Sequence, residues 1–147
     1  LGAPRVGIAF PWRQRLDNVV VVEVDADFAG CLRSRKSTSG LAAFWCGCLL
    51  KSSAKSQSTI AVSTSESEFY SILGGASVGL GLQALLADLN FTVSVELRSD
   101  ATAAISLSSR RGLGKARHIA VGFLWVQQLV AEKRLALKKV DGSKNSR

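Results

Sequence analysis

Methionine is absent from this 147-residue chain, and histidine occurs only at position 118. A chain that opens on Leu1 with no methionine reads as a piece of a longer reading frame. Cysteine is scarce too. Cys31, Cys46 and Cys48 make an odd set with no further Cys or His pair at zinc spacing, which argues against a closed tetrahedral zinc site. Small buried thiols in a reducing compartment fit better. Cys46 and Cys48 stand two apart in an apolar run, so in a strand they face the same way. The two prolines, Pro4 and Pro11, both fall in residues 1–18, which read as an irregular lead-in. No uninterrupted apolar run approaches the ~20 residues of a membrane span. The first 18 residues lack the apolar core and cleavage site of a signal peptide. The expectation is a protein with no membrane partner that is intracellular, in a cytoplasmic particle or the nucleus, and not secreted.

Acidic residues are also few, 11 against 19 Lys and Arg, for a net charge of +8. Such a balance favours a polyanionic partner, although a basic domain without one has the same charge. At 47% hydrophobic and 20% charged residues, the chain is no disordered segment. Its length suits one domain with a single core.

The β-branched run Val19–Val24, ending on Asp25, predicts a buried strand. A basic turn region spans 30–39, a second apolar run 40–50, and a polar turn 51–57. Residues 59–62 then read as a short third strand, completing an antiparallel meander over 19–62. Ser63 or Thr64 can cap a helix with Glu66 and Glu68 in its first turn, and apolar positions follow at helical spacing to Leu89. Gly74, Gly75, Gly79 and Gly81 interrupt it, at about 0.8–1 kcal/mol each in an exposed helix interior. Either packing holds this helix or it bends. Alternation over 91–97 predicts a fourth strand ending near Asp100. A short helix over 101–108, a basic loop over 110–117, a helix over 119–132 and a strand over 134–140 complete the chain. The order βββ-α-β-α-α-β predicts an α/β fold, a mixed five-stranded sheet flanked by helices.

Asp25, Glu68 and Asp100 fall at the ends of predicted elements. Strand ends and a helix turn can meet at one edge of such a sheet. Three carboxylates drawn together repel unless cations are bound, and oxygen-only ligands suit Mg²⁺ or Mn²⁺. Acidic residues at strand ends are also common without a metal.

Residues 24–30 (Val-Asp-Ala-Asp-Phe-Ala-Gly), followed by Arg35-Lys36-Ser37-Thr38-Ser39-Gly40, closely resemble the opening of copia-type retrotransposon RNase H domains. Residues 61–70 (Ala-Val-Ser-Thr-Ser-Glu-Ser-Glu-Phe-Tyr) resemble the start of their first helix, and 99–105 the third motif. The run Lys115-Ala116-Arg117-His118-Ile119 is similar to their basic-His segment, and 140–145 to their closing strand. The resemblance covers about residues 19–145, in order and spacing. It implies an RNase H-like fold over 19–147 and endonucleolytic hydrolysis of RNA in RNA–DNA hybrids during reverse transcription. Asp25, Glu68 and Asp100 match the catalytic, metal-binding carboxylates, which implies two Mg²⁺ or Mn²⁺ ions. Thr64 and Ser65 match positions that meet the hybrid. Arg110, Arg111, Lys115, Arg117 and His118 stand where basic residues could follow its phosphates, or form a plain solvated loop. The reverse transcriptase and integrase of the same polyprotein are the implied partners. Glu66 and Asp27 read as a helix-turn charge and a structural residue.

Three positions depart from the family pattern. The fourth metal carboxylate is expected beyond Arg147, so the domain reads as truncated before its final motif. Ala120 stands where an acidic residue is usual, and Thr102 where an amide is usual. The alternative expectation is therefore a catalytically dead remnant or a hybrid-binding module.

Overall fold

The computed structural model describes Gly7 and residues 16–102, 105–106 and 120–140. Five strands form one sheet in the order β3-β2-β1-β4-β5: β1 Val19–Asp27, β2 Thr38–Trp45, β3 Cys48–Ser56, β4 Ser94–Ser99 and β5 Leu135–Lys139. Among the described residues two long helices accompany them, α1 Thr64–Asp88 and α2 Ala120–Ala131. The first three strands pair antiparallel, while β1–β4 and β4–β5 are parallel. This is the mixed α/β sheet expected from the element order. The expected helix over 101–108 and most of the lead-in lie largely outside the described residues.

The meander differs from its expected form. Residues 51–57 are no turn and 59–62 no strand; the chain reverses at Cys46-Gly47, and β3 runs through the supposed turn. Both turn residues are left-handed, with φ 52° and 75°, the twist a two-residue hairpin requires. An apolar Cys at the first turn position hid it. β3 is also an edge strand, exposed along most of its length, so it never needed the apolar alternation that marks a half-buried strand. Cys46 therefore sits in the turn and Cys48 opens β3, instead of both lining one strand face.

Alternate residues of the sheet face the helices. Val20, Val22, Val24, Val95, Leu97 and Leu135 are buried against Phe69, Ile72 and Ala76 of α1 and Val126 and Leu129 of α2. Although α1 is long and apolar enough to cross a membrane, contrary to the expectation from uninterrupted runs, it lies on the sheet. The helix runs unbroken through its glycines, and two of them show why. A Cβ on Gly75 would come within 2.5 Å of Val24 and 2.8 Å of Leu97; one on Gly79 would come within 2.5 Å of Val95. Glycine lets the helix backbone rest directly on β1 and β4.

Helix ends are closed by local bonds. Ser63 caps α1 and accepts from the Glu66 amide at 3.2 Å, while Glu66 accepts from the Val62 amide at 2.9 Å, a reciprocal cap. At the other end Asn90 is left-handed, φ 65°. Its amide donates to Ala87 O and that of Phe91 to Leu86 O, which closes the helix in a Schellman turn. On the opposite sheet face, Glu96 binds Lys138 at 2.6 Å and Arg98 at 2.7 Å, and Arg98 reaches Glu23 at 3.7 Å. Burial alone would raise the Glu96 carboxyl, but those cations hold it below its ordinary range.

Candidate metal centre

Parallel pairing of β1 with β4 sends both strands toward one edge of the sheet. Their pairing ends at Glu23 and Arg98. Asp25 lies two residues further along β1, and Asp100 directly follows β4. The chain returns from β3 to start α1 at the same edge, and the cap at Ser63 fixes its first turn. Glu68 then stands at the fifth helical position, one residue beyond the first turn where it was expected. The structure brings the three together: one carboxylate oxygen from each of Asp25, Glu68 and Asp100 lies within 4.8 Å of the other two.

The environments differ. Asp25 and Asp100 are exposed and Glu68 is buried. Asp25 accepts from the Ala26 amide at 2.9 Å, which orients its carboxylate. Burial, then the charges of Asp25 and Asp100, push Glu68 up to about 7 against an ordinary 4.5; a bond from the Ala26 backbone opposes the shift. One Glu68 oxygen, Oε2, is buried without a hydrogen-bond partner. A buried oxygen without a partner is costly, and so is a carboxyl beside two like charges. A bound cation would relieve both conditions at once, so the donor set fits a hard divalent ion.

A polar network fixes the helix turn that carries Glu68. Gln57 Nε2 donates to Ser39 Oγ at 2.9 Å and to Ser67 O at 2.8 Å. Ser71 Oγ donates to Ser39 Oγ at 2.8 Å. Sequence reasoning missed this network. Its one signal is Ser67 and Ser71, polar residues four apart that share a buried helix face.

Thr64 is exposed and Ser65 half-buried at the start of α1, with Ser63 as the cap between them and β3. Asp27 folds over Gly30, where a Cβ would collide with its carboxylate, in keeping with a structural part. Thr102 is exposed. Arg110, Arg111, Lys115, Arg117 and His118 lie outside the described residues, as does Asp141.

No family model matches the chain. The retrovirus-related Pol polyprotein from transposon Tnt 1-94 of Nicotiana tabacum is 26% identical over 131 residues, which are 88% of this chain and 10% of that polyprotein. An RNase H1 isolated from compost by a metagenomic approach superposes with a TM-score of 0.65 at 15% identity, covering 88% of this chain and 89% of that one. The same enzyme in complex with RNA/DNA hybrid gives 0.59 at 15% identity, over 87% and 89%. The protease–reverse transcriptase of prototype foamy virus gives 0.52 at 9% identity, over 95% of this chain and 19% of that one. The fold is RNase H-like. The structural likeness and the transposon relative together bear out the resemblance to retrotransposon RNase H domains.

Proposed function

We propose that residues 19–147 are the RNase H domain of a copia-type retrotransposon polyprotein, with residues 1–18 leading in from the part upstream. On this reading the domain hydrolyses RNA in RNA–DNA hybrids during reverse transcription, and Asp25, Glu68 and Asp100 hold two Mg²⁺ or Mn²⁺ ions. The observation that carries the reading is the meeting of three carboxylates within 4.8 Å, one of which has a buried oxygen without a partner. Ions bound there would lower the pKa of water and stabilise the leaving oxygen of a phosphodiester.

The chain's own residues do the rest. Glu68 is held rigid by burial and by the Gln57–Ser67 tie behind it, and Asp25 is aimed by the Ala26 amide. Thr64 and Ser65, at the open start of α1, offer hydroxyls to the 2′-hydroxyl that separates RNA from DNA. Arg110, Arg111, Lys115 and Arg117, with His118, follow the hybrid's phosphates. Such contacts give affinity without sequence preference. The reverse transcriptase and integrase of the same polyprotein are the proposed neighbours. A solved relative in complex with RNA/DNA hybrid supports the substrate class.

Ala120 and Thr102, where an acid and an amide are usual, favour a second reading: a remnant that binds hybrid without turnover. Cleavage of a labelled hybrid decides between them. Residues 1–147 should cut negligibly in millimolar Mg²⁺ and partly recover in Mn²⁺, which binds such ligands more tightly. A longer chain supplying a further downstream Asp should cut the RNA strand, and Asp25→Asn within it should abolish cutting. If the longer chain stays inert in both metals while folded and hybrid-bound, the remnant reading stands.

A further inference from the structure

Behind α1, on the side of edge strand β3, lies a groove of about 630 Å³. One wall is β3, where Lys51, Ser53 and Lys55 pair with Ala43, Leu41 and Ser39 and so share the helix-facing side of the sheet. The other wall is α1, which contributes Tyr70, Gly74 and Ser77. Leu41, Leu73 and Val78 supply its apolar part, and among the described residues none that lines it is acidic.

One feature of the groove has no packing reason among the described residues. Gly74 is exposed and a Cβ there would meet nothing within 4 Å, so packing does not require its glycine as it does at Gly75. A glycine in an exposed helix interior costs about 0.8–1 kcal/mol, and its lack of a side chain leaves room for a ligand to approach the helix backbone. Gln57, only 8% exposed, lines the same groove, and its Oε1 is buried without a partner while its Nε2 is fully engaged.

We infer that this groove binds a single-stranded sugar-phosphate chain, as an accessory site for the strand that leaves the duplex at the metal centre. Lys51 and Lys55 stand four residues apart on an extended strand, about 13 Å, which suits alternate phosphates of an unpaired strand. Hydroxyls of Ser53, Ser58, Thr59 and Ser77 line the same walls, and the apolar patch with Tyr70 offers a surface for bases. A charged groove with an apolar or aromatic floor is how unpaired strands are held without sequence preference. The groove is also continuous with the carboxylate edge: Ser39 and Gly40, at its end, pair with Ala26 and Asp25. That continuity favours nucleic acid over an acidic peptide. The inference rests on the hybrid reading above and adds a second site to it.

The test compares a blunt RNA–DNA hybrid with the same hybrid carrying a ten-nucleotide unpaired extension, of RNA in one arm and DNA in another. The extension should tighten binding about tenfold and steepen the salt dependence by about 0.7 for each of the two phosphates held. The Lys51→Glu/Lys55→Glu chain should bind the blunt hybrid as before and lose that gain. A gain confined to the RNA arm assigns the groove's serine and threonine side chains to a 2′-hydroxyl; equal gains assign the site to the shared backbone. If blunt hybrid binds and the extension adds nothing, or if the gain survives both substitutions, the groove inference fails alone. If the blunt hybrid itself does not bind, the hybrid reading fails first. A glutamate-rich helical peptide that competes for Lys51 and Lys55 where the extension adds nothing would give the groove to a protein and overturn the inference.

Discussion

The Glu66 amide donates to the Ser63 hydroxyl at 3.2 Å, and this one bond sets the start of the helix that carries Glu68. Removing it by Ser63→Ala should cost about 1 kcal/mol, the usual worth of such a cap. Thermal unfolding would register the loss, and calorimetric titration of Mn²⁺ should show weaker binding because Glu68 sits only two residues beyond Glu66. Unaltered metal affinity in a destabilised protein would separate the cap from the site.

Glu68 predicts an unusual pH profile for the metal-free protein. Its carboxyl titrates near 4.5 unfolded and about 7 in the fold, so the folded state holds the extra proton. Stability from this group is full below pH 4.5 and is lost as pH rises through about 7. The loss approaches an upper bound of about 3 kcal/mol, at 1.36 kcal/mol per pH unit. Chemical denaturation across pH 4 to 8 should show the decline, Glu68→Gln should flatten it, and Mg²⁺ or Mn²⁺ should restore stability at pH 8. A flat wild-type profile would contradict the buried, like-charged setting of this carboxylate.

Glycines of one helix should respond in opposite directions. Gly81→Ala meets nothing within 4 Å and should stabilise the fold by about 0.5–1 kcal/mol. Gly75→Ala and Gly79→Ala drive a methyl into Val24, Leu97 or Val95 and should cost about 1–3 kcal/mol or more. Denaturant midpoints measure both, and a stabilising Gly75→Ala would refute the close contact of α1 with β1 and β4.

Replacing Arg110, Arg111 and Lys115 with Ala should weaken hybrid binding and reduce its salt slope by up to ~0.9 per lost duplex contact. Filter binding over a salt series reads this directly. An unchanged slope removes the basic loop from the interface.

Much of the fold was legible because burial leaves a mark, as an apolar run or a periodic pattern. β1 and α1 pack against each other, and they announced themselves by the unbroken β-branched run Val19–Val24 and by the helical spacing of Phe69, Ile72 and Ala76. Edge strand β3 left no such mark, since its exposed residues gain nothing from alternation. The Cys46-Gly47 turn was hidden because only Gly47 is a residue that favours positive φ. The meeting of Asp25, Glu68 and Asp100 was suggested by strand ends and by motif resemblance together; spacing alone did not separate them from ordinary surface acids. The Gln57–Ser39–Ser71 network was out of reach, since its members lie on three segments whose register only the folded sheet defines.

The candidate metal centre draws its carboxylates from β1, α1 and the end of β4, and that has a consequence for how the chain folds. The β1–β3 meander closes through a ten-residue connection and a two-residue turn and can form early, but by itself it holds Asp25 alone. Glu68 arrives only when α1 docks, and Asp100 only when β4 adds parallel to β1 across a long connection, the slow class of contact. A tightly bound divalent ion would therefore act as a reporter of the finished topology, present only once every layer is in place. Nascent or partly unfolded chains would carry the same three acids and bind it weakly.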